Sequence, residues 1–252
     1  REALDKLCHD AEHSVDEGYN YIILSDRDVD ASHTAIPSLL AVSAVHHYLI
    51  SVGKRVQTAL IVESGEIRET MHAALLLGYG ASALCPYMTF AILDDLVKRH
   101  KIQEDYATAE ANYIKAVKKG LFKIMAKMGI STIRSYRGEK IFESIGLSEH
   151  LLKTYFGTEV STIGGIGLEK IAHDANALHD AAYAHNNTDT TFLPNQGQFH
   201  WRKDGIRHAL NPETIATLQL ATRTGSYEKF KEYTRLVDEK ADPIFIRDFL
   251  NR

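Results

Sequence analysis

The chain has 252 residues, 44% apolar and 25% charged, which is enough for one large α/β domain or two smaller ones. The net charge of −4 brings neither a basic stripe for nucleic acid nor an acidic tail. Two cysteines, Cys8 and Cys85, exclude a disulfide framework, fit a reducing cytosol, and are too few for an iron–sulfur cluster.

The first hundred residues alternate between strand and helix patterns. Residues 2–11 open on a helical pattern. Tyr21–Leu24 is a short apolar run rich in β-branched residues and reads as a buried strand. Residues 35–50 read as a buried helix with Pro37 in its first turn. Pro37, Ser38 and Ser43 interrupt this run, and no stretch approaches the roughly 20 apolar residues of a membrane span. Residues 57–62 form the second strand and 66–77 the second helix, stopped by Gly78 and Gly80. A short strand over 81–85 and a helix over 87–99 follow. This order implies parallel strands joined by crossover helices.

Residues 101–110 read as a polar connection. A long helix is expected over 111–128, a strand over 130–133, a helical stretch over 141–145, and a helix capped by Ser148 that ends at Tyr155. Further helices are expected over 168–184, 212–221 and 226–239, with a polar loop over 186–198. The fold class is therefore α/β, with parallel β-α-β layers followed by a mostly helical second half. Neither terminus carries a signal or a cap pattern, and both ends read as cut.

Several motifs invite a chemical reading. His9-Asp-Ala-Glu12-His13 has the spacing of an inverted zinc-peptidase pair but also that of a solvated helix face, which is the reading adopted. Asp26-Arg-Asp28-Val-Asp30 opens like a calcium loop but fails at Ala31 and Pro37, so no metal is assigned. Its position is more informative. Ser25-Asp26-Arg27 and Glu63-Ser64-Gly65-Glu66 each follow a buried parallel strand, so both belong at one end of the sheet, where α/β folds hold ligands. The alternative is plain capping by Ser64 and Glu66, with Asp26 pairing to Arg27 or a backbone N–H. Ile163-Gly-Gly-Ile-Gly167 reads as a tight turn into the next helix rather than a phosphate loop. Lys127-Met-Gly-Ile-Ser131 and Ser135-Tyr-Arg-Gly138 flank a short strand, with Tyr136 half-buried. His200-Trp-Arg202 is a candidate partner surface.

Taken in order, the segments Ile23–Arg27, Ile36–His47, Val62–Glu66 and Leu77–Ala81 resemble the central domain of the glutamate synthase large subunit. Residues 120–131, Ser135–Gly138, Ile141–Glu143, Ile163–Leu168, His200–Arg202 and His208–Pro212 are similar to the entry to its FMN-binding domain. Lys140 departs from the small or amide residue that the family pattern has there.

The resemblance implies a fragment. Residues 1–104 correspond to the C-terminal part of the central domain, and 105–252 to the start of the FMN-binding domain, a lead-in to an incomplete (β/α) barrel. The family makes two glutamates from glutamine and 2-oxoglutarate. An N-terminal cysteine releases ammonia, a tunnel carries it, and reduced FMN completes the reduction of 2-iminoglutarate. The chain lacks the N-terminal cysteine domain, the cysteine triplet of the iron–sulfur cluster and most barrel strands. It is expected to be inactive alone, with no catalytic residue, and to bind neither FMN nor a cluster by itself. In the parent, Lys127, Met128, Gly129, Ser131, Tyr136 and Arg137 are candidates for the flavin edge. Asp26, Arg27, Glu63, Ser64 and Glu66 are candidates for tunnel wall or domain interface. Implied partners are the remaining domains of the large subunit and a small subunit or ferredoxin as electron donor, with no nucleic acid and no membrane. The implied location is cytoplasmic, or plastid in a photosynthetic eukaryote. Two other readings stay open: a purely structural bridge and a free-standing flavodoxin-like binding protein.

Overall fold

A computed structural model describes residues 1–157, 162–183, 197–239 and 244–245. The chain divides into two compact units, Arg1–Ala184 and His185–Arg252.

In the first unit, helix α1 (Glu2–Asp16) precedes strand β1 (Tyr21–Ser25), and α2 (Ser38–Ser51) leads to β2 (Ala59–Glu63). Helix α3 (Thr70–Gly78) then leads to β3 (Ala83–Cys85), and α4 (Tyr87–Lys98) follows. The three strands form one parallel sheet in the order β1-β2-β3, with Ile23 beside Ile61 and Ile61 beside Ala83. Alternate strand residues Ile22, Leu24, Leu60 and Val62 point into a core shared with Leu4, Cys8, Ala11 and Val15 of α1 and Leu40, Val45 and Leu49 of α2. The strict alternation of β1 sets this inner face apart from an outer face that carries Tyr21 and Ile23.

Helix α2 is apolar on nearly every side because α1, α3, the sheet and a later helix all pack on it. Pro37 sits at its N-cap, one position ahead of the first turn expected for it. Ser43, fully buried in α2, donates from Oγ to the carbonyl of Tyr155 at 2.7 Å and so anchors α7 (Glu149–Tyr155).

Helix α5 (Tyr106–Met128) starts five residues earlier than its apolar pattern suggests. Asp105 explains this, since its side chain accepts from the Thr108 N–H at 2.8 Å and caps the helix inside the polar stretch. Its C-terminus closes on Gly129 at φ +72°, a left-handed stop that favours glycine. Gly120 lets α5 approach α3, because a Cβ there would lie 2.5 Å from the Thr70 side chain.

Three expectations fail in the next stretch. Residues 130–133 form no strand. Thr132 instead caps a single turn, α6 (Ile133–Tyr136), by accepting from the Ser135 N–H. Residues 141–145 are not helical, and Ile145 begins strand β4 (Ile145–Leu147). The glycine-rich segment is itself strand β5 (Ile163–Ile166), paired in parallel with β4. Gly165 explains that pairing, since a Cβ there would sit 2.1 Å from the Gly146 carbonyl oxygen. Helix α8 (Leu168–Tyr183) follows. Among the described residues no closed barrel forms.

In the second unit, α9 (Pro212–Thr224) and α10 (Tyr227–Asp238) pack together as a hairpin. Asn211 and Thr214 form a capping box with Pro212 at the first position, Gly225 adopts φ +66°, and Ser226 caps α10. The polar loop expected over 186–198 lies, apart from its last two residues, outside the described residues, as does the run after Phe245.

Candidate functional site

Both loops at the carboxyl end of the sheet form one hydrogen-bonded unit. Parallel register places Ser25 directly beside Glu63. The Asp26 N–H then donates to the Glu63 carbonyl at 3.2 Å, and the Ser64 N–H donates to the Cys85 carbonyl at 3.1 Å. The Asp26 carboxylate accepts from Ser64 Oγ at 2.6 Å and from the Gly65 N–H at 3.0 and 3.1 Å. Ser64 Oγ in turn accepts from the Glu66 N–H at 3.1 Å. Asp26 therefore holds the second loop rather than pairing with Arg27.

Arg27 turns to Glu63 instead, donating from Nε at 3.0 Å and Nη2 at 2.8 Å to Oε1. Ser25 Oγ donates to the other carboxylate oxygen at 2.6 Å. These hydrogen bonds, from Arg27 first and Ser25 second, hold the Glu63 carboxyl below its ordinary pKa. The guanidinium also stacks over Tyr87, 4.2 Å from the ring centroid. Burial, with a hydrogen bond to Asp26 next, pushes the Tyr87 phenol up to about 12.

Glu66 is a cap, as the alternative reading has it, but for a different helix. Its carboxylate accepts from the Ser38 N–H at 2.7 Å, so it caps α2 from another crossover unit. Beside these loops opens a cleft of about 330 Å³. Leu7, Leu24, Ile36 and Val62 form its apolar floor, and Asp26, Asp28 and His33 lie on its rim. All five interface candidates thus meet at one end of the sheet.

The opposite end carries a network with no motif behind it. Arg55, in a short 3-10 turn before β2, donates to the Thr58 and Gly80 carbonyls at 2.7 Å each and to His46 Nδ1 at 2.9 Å. Burial first, then the charge of Arg55, lowers the His46 pKa to about 3 and keeps the ring neutral. Gly80 has φ +115°, and a Cβ there would lie 2.3 Å from His46 Nδ1.

The flavin-edge candidates divide by environment. Lys127, Met128, Gly129 and Ser131 lie on the exposed turn that ends α5. Tyr136 is fully buried, not half-buried, and donates to the Ala74 carbonyl at 3.0 Å. Arg137 donates to Ser82 Oγ at 2.9 Å, and the Gly138 N–H donates to the Gly78 carbonyl at 2.8 Å. The turn suits contact with the edge of a ring. It does not suit a phosphate, because a helix C-terminus presents carbonyl oxygens, and the glycine-rich segment is extended as strand β5, paired with β4, instead of forming a turn at a helix N-terminus. The two thiols do not fit a cluster, since Cys8 is buried in α1 with its pKa raised to about 11 by that burial.

The histidines of the zinc-like pattern also have local roles. His9 Nδ1 lies 2.6 Å from the Asp5 carbonyl, and Glu12 accepts from Tyr48 Oη and Lys54 Nζ. Asp30 of the calcium-like run accepts from Ser32 and pairs with His33. No helix among the described residues is long and apolar enough to cross a membrane.

A three-stranded parallel sheet with crossover helices, its polar loops clustered at the carboxyl edge, is an α/β architecture. Comparison with known proteins gives the family. The family model for the glutamate synthase central domain matches residues 1–148. The chain is 43% identical over 237 residues to the large chain of NADPH glutamate synthase of Bacillus subtilis, covering 94% of this chain and 16% of that one. It is 37% identical to NADH glutamate synthase of Schizosaccharomyces pombe, covering 99% of this chain and 12% of that one. It is 35% identical to ferredoxin-dependent glutamate synthase of Pyropia yezoensis, covering 99% and 17%. The chain belongs to the glutamate synthase family. It spans about a sixth or less of the length of these relatives.

Proposed function

We propose that the chain is an internal part of a glutamate synthase large chain and lies between the ammonia-releasing and flavin-reducing centres. The parent reaction forms L-glutamate from L-glutamine and 2-oxoglutarate, with FMN supplying the reducing equivalents when bound. The observation that carries this reading is similarity along 94–99% of the chain to enzymes several times longer.

Within the parent, the chain's own residues bind and position. Asp26, Ser64 and Glu66 fix the two loops at the carboxyl end of the sheet, and Arg27 and Glu63 offer a paired charge at its surface. We assign them to tunnel wall or domain interface. Lys127, Met128, Gly129 and Ser131 line the flavin edge, where exposure of the α5 turn supports contact. Tyr136 and Arg137 anchor that turn to α3 and the start of β3. Partners are the remaining domains of the large chain and an electron donor.

The test uses the full-length chain with its electron donor. It is expected to form two glutamates per glutamine and 2-oxoglutarate consumed. Replacing Asp26 by Ala should leave glutamine hydrolysis in place while ammonia escapes to solvent instead of entering glutamate. Tight coupling in that variant would remove these loops from the ammonia route, and absence of glutamate formation in the parent would remove the reading itself.

A further inference from the structure

Among the described residues, the sheet β1-β2-β3 is covered on one face only. Tyr21 and Ile23 on the outer face are 70% and 60% exposed, while Ile22 and Leu24 on the inner face are buried. Parallel sheets are ordinarily covered on both faces, because their connections place layers over them. The outer edge of β1 is open as well. In a parallel ladder alternate residues bond to one neighbour. Asp26 donates to Glu63, and Asn20 accepts from Ala59, so the even-numbered residues face β2. The N–H and C=O groups of Tyr21, Ile23 and Ser25 therefore point away from β2. Among the described residues no strand pairs with them.

Handedness says where a missing strand belongs. Crossovers between parallel strands are right-handed in nearly all proteins. Here α2 and α3 pack on the same face as the buried strand residues, and the strands run in sequence order. Helix α1 shares that core and joins β1 through residues 17–20 alone. A right-handed crossover through α1 therefore brings its preceding strand to the open edge of β1 and not to β3. Matching relatives are about six times as long as this stretch, and a chain of that length would hold the polypeptide to supply it.

We propose that the open edge of β1 receives a parallel strand from the polypeptide preceding Arg1, which extends the sheet with every crossover helix on one side. The proposal rests on the reading of the chain as part of a longer protein. A charged or polar occupant is disfavoured by the apolar outer row of Tyr21, Ile23 and Ile61, so the incoming strand carries apolar residues on that face.

The experiment measures residue-resolved amide hydrogen exchange in the full-length chain, with its intact mass checked on the same preparation. The amides of Tyr21, Ile23 and Ser25 are expected to exchange on the order of a hundredfold more slowly than open loop amides such as Asp28. A photoreactive cross-linker on Tyr21→Cys should capture a peptide from before Arg1. Fast exchange at the three outward amides overturns the proposal, even where the Tyr21 ring is shielded, because that pattern marks a layer on the face without a paired strand. Capture of a peptide from beyond Arg252 or from a second molecule also overturns it. An intact mass that leaves no residues before Arg1 sinks the fragment reading and this proposal together, whereas slow glutamate formation with the cross-link in place would fault only the function.

Discussion

The two ends of the same sheet solve polar burial differently. At the carboxyl end, charges meet an opposite charge, a hydroxyl or a backbone amide: Arg27 with Glu63, Asp26 with Ser64, Glu66 with the first amide of α2. At the amino end, the half-buried Arg55 guanidinium gives its three hydrogen bonds to neutral acceptors, two carbonyls and the His46 ring. The first arrangement is partly solvated, and a partner can compete for it. The second is half-buried as well, but its members are fixed by steric fit as much as by charge. Adaptable chemistry thus sits where ligands bind in α/β folds, and the stabilising framework sits opposite.

The sharpest way to break that contrast is Gly80→Ala. A Cβ there meets His46 at 2.3 Å on a backbone with φ +115°, so the ring must leave Arg55 or the strand must shift. Strain plus overpacking predicts a loss of about 3 kcal/mol or more in unfolding free energy, read as a fall in the urea midpoint. A neutral result would show that the amino end is as pliable as the carboxyl end.

A smaller effect is expected from Asp26→Ala. It strands Ser64 Oγ and the Gly65 N–H, which are partly buried, at a cost of about 2 kcal/mol. Asp26→Asn keeps an acceptor and should recover part of that loss in the same urea titration. Equal losses for Ala and Asn would assign the effect to charge rather than to hydrogen bonding.

The pH response separates the ends further. A His46 pKa of about 3 lies below the unfolded value, so the unfolded state binds the extra proton. Stability from this group is complete above about pH 6.5 and is lost as pH falls toward 3, at up to about 1.4 kcal/mol per pH unit. His46→Gln should flatten this slope between pH 6.5 and 5, a window above the titration of Glu63, whose lowered pKa sends its loss to more acidic pH. An unchanged slope would mean that the ring titrates freely in the folded protein.

How far the sequence discloses the molecule follows from how local each signal is. Strands β1 to β3 and the shared end of Ser25–Arg27 and Glu63–Glu66 are legible because burial alternation and chain order are enough to place them. Asp105 as a cap is legible in principle, but its polar neighbourhood masks the helix start. Residues 163–167 read as a turn because glycine is common in turns. Gly165 instead admits the Gly146 carbonyl, a partner 19 residues away, and no local rule shows that. The Arg55–His46–Gly80 network stays hidden for the same reason. A helix, a turn and a strand entry supply one residue each, and none carries a motif. At that end of the sheet the kind of contact was readable, a helix cap for Glu66 and a backbone N–H for Asp26, but not the partner: Glu66 caps α2, and Asp26 takes the Gly65 N–H together with Ser64 Oγ.

The Glu66 cap has one more consequence. Ser38 opens α2, yet its amide hydrogen is held by a carboxylate 28 positions later in the chain. Any event that moves the loop after β2, whether docking of a neighbour or passage of a small molecule, releases that amide to solvent. Ser38 is thereby a built-in gauge: its exchange with water reports, from the mouth of one crossover, what happens at the mouth of the next.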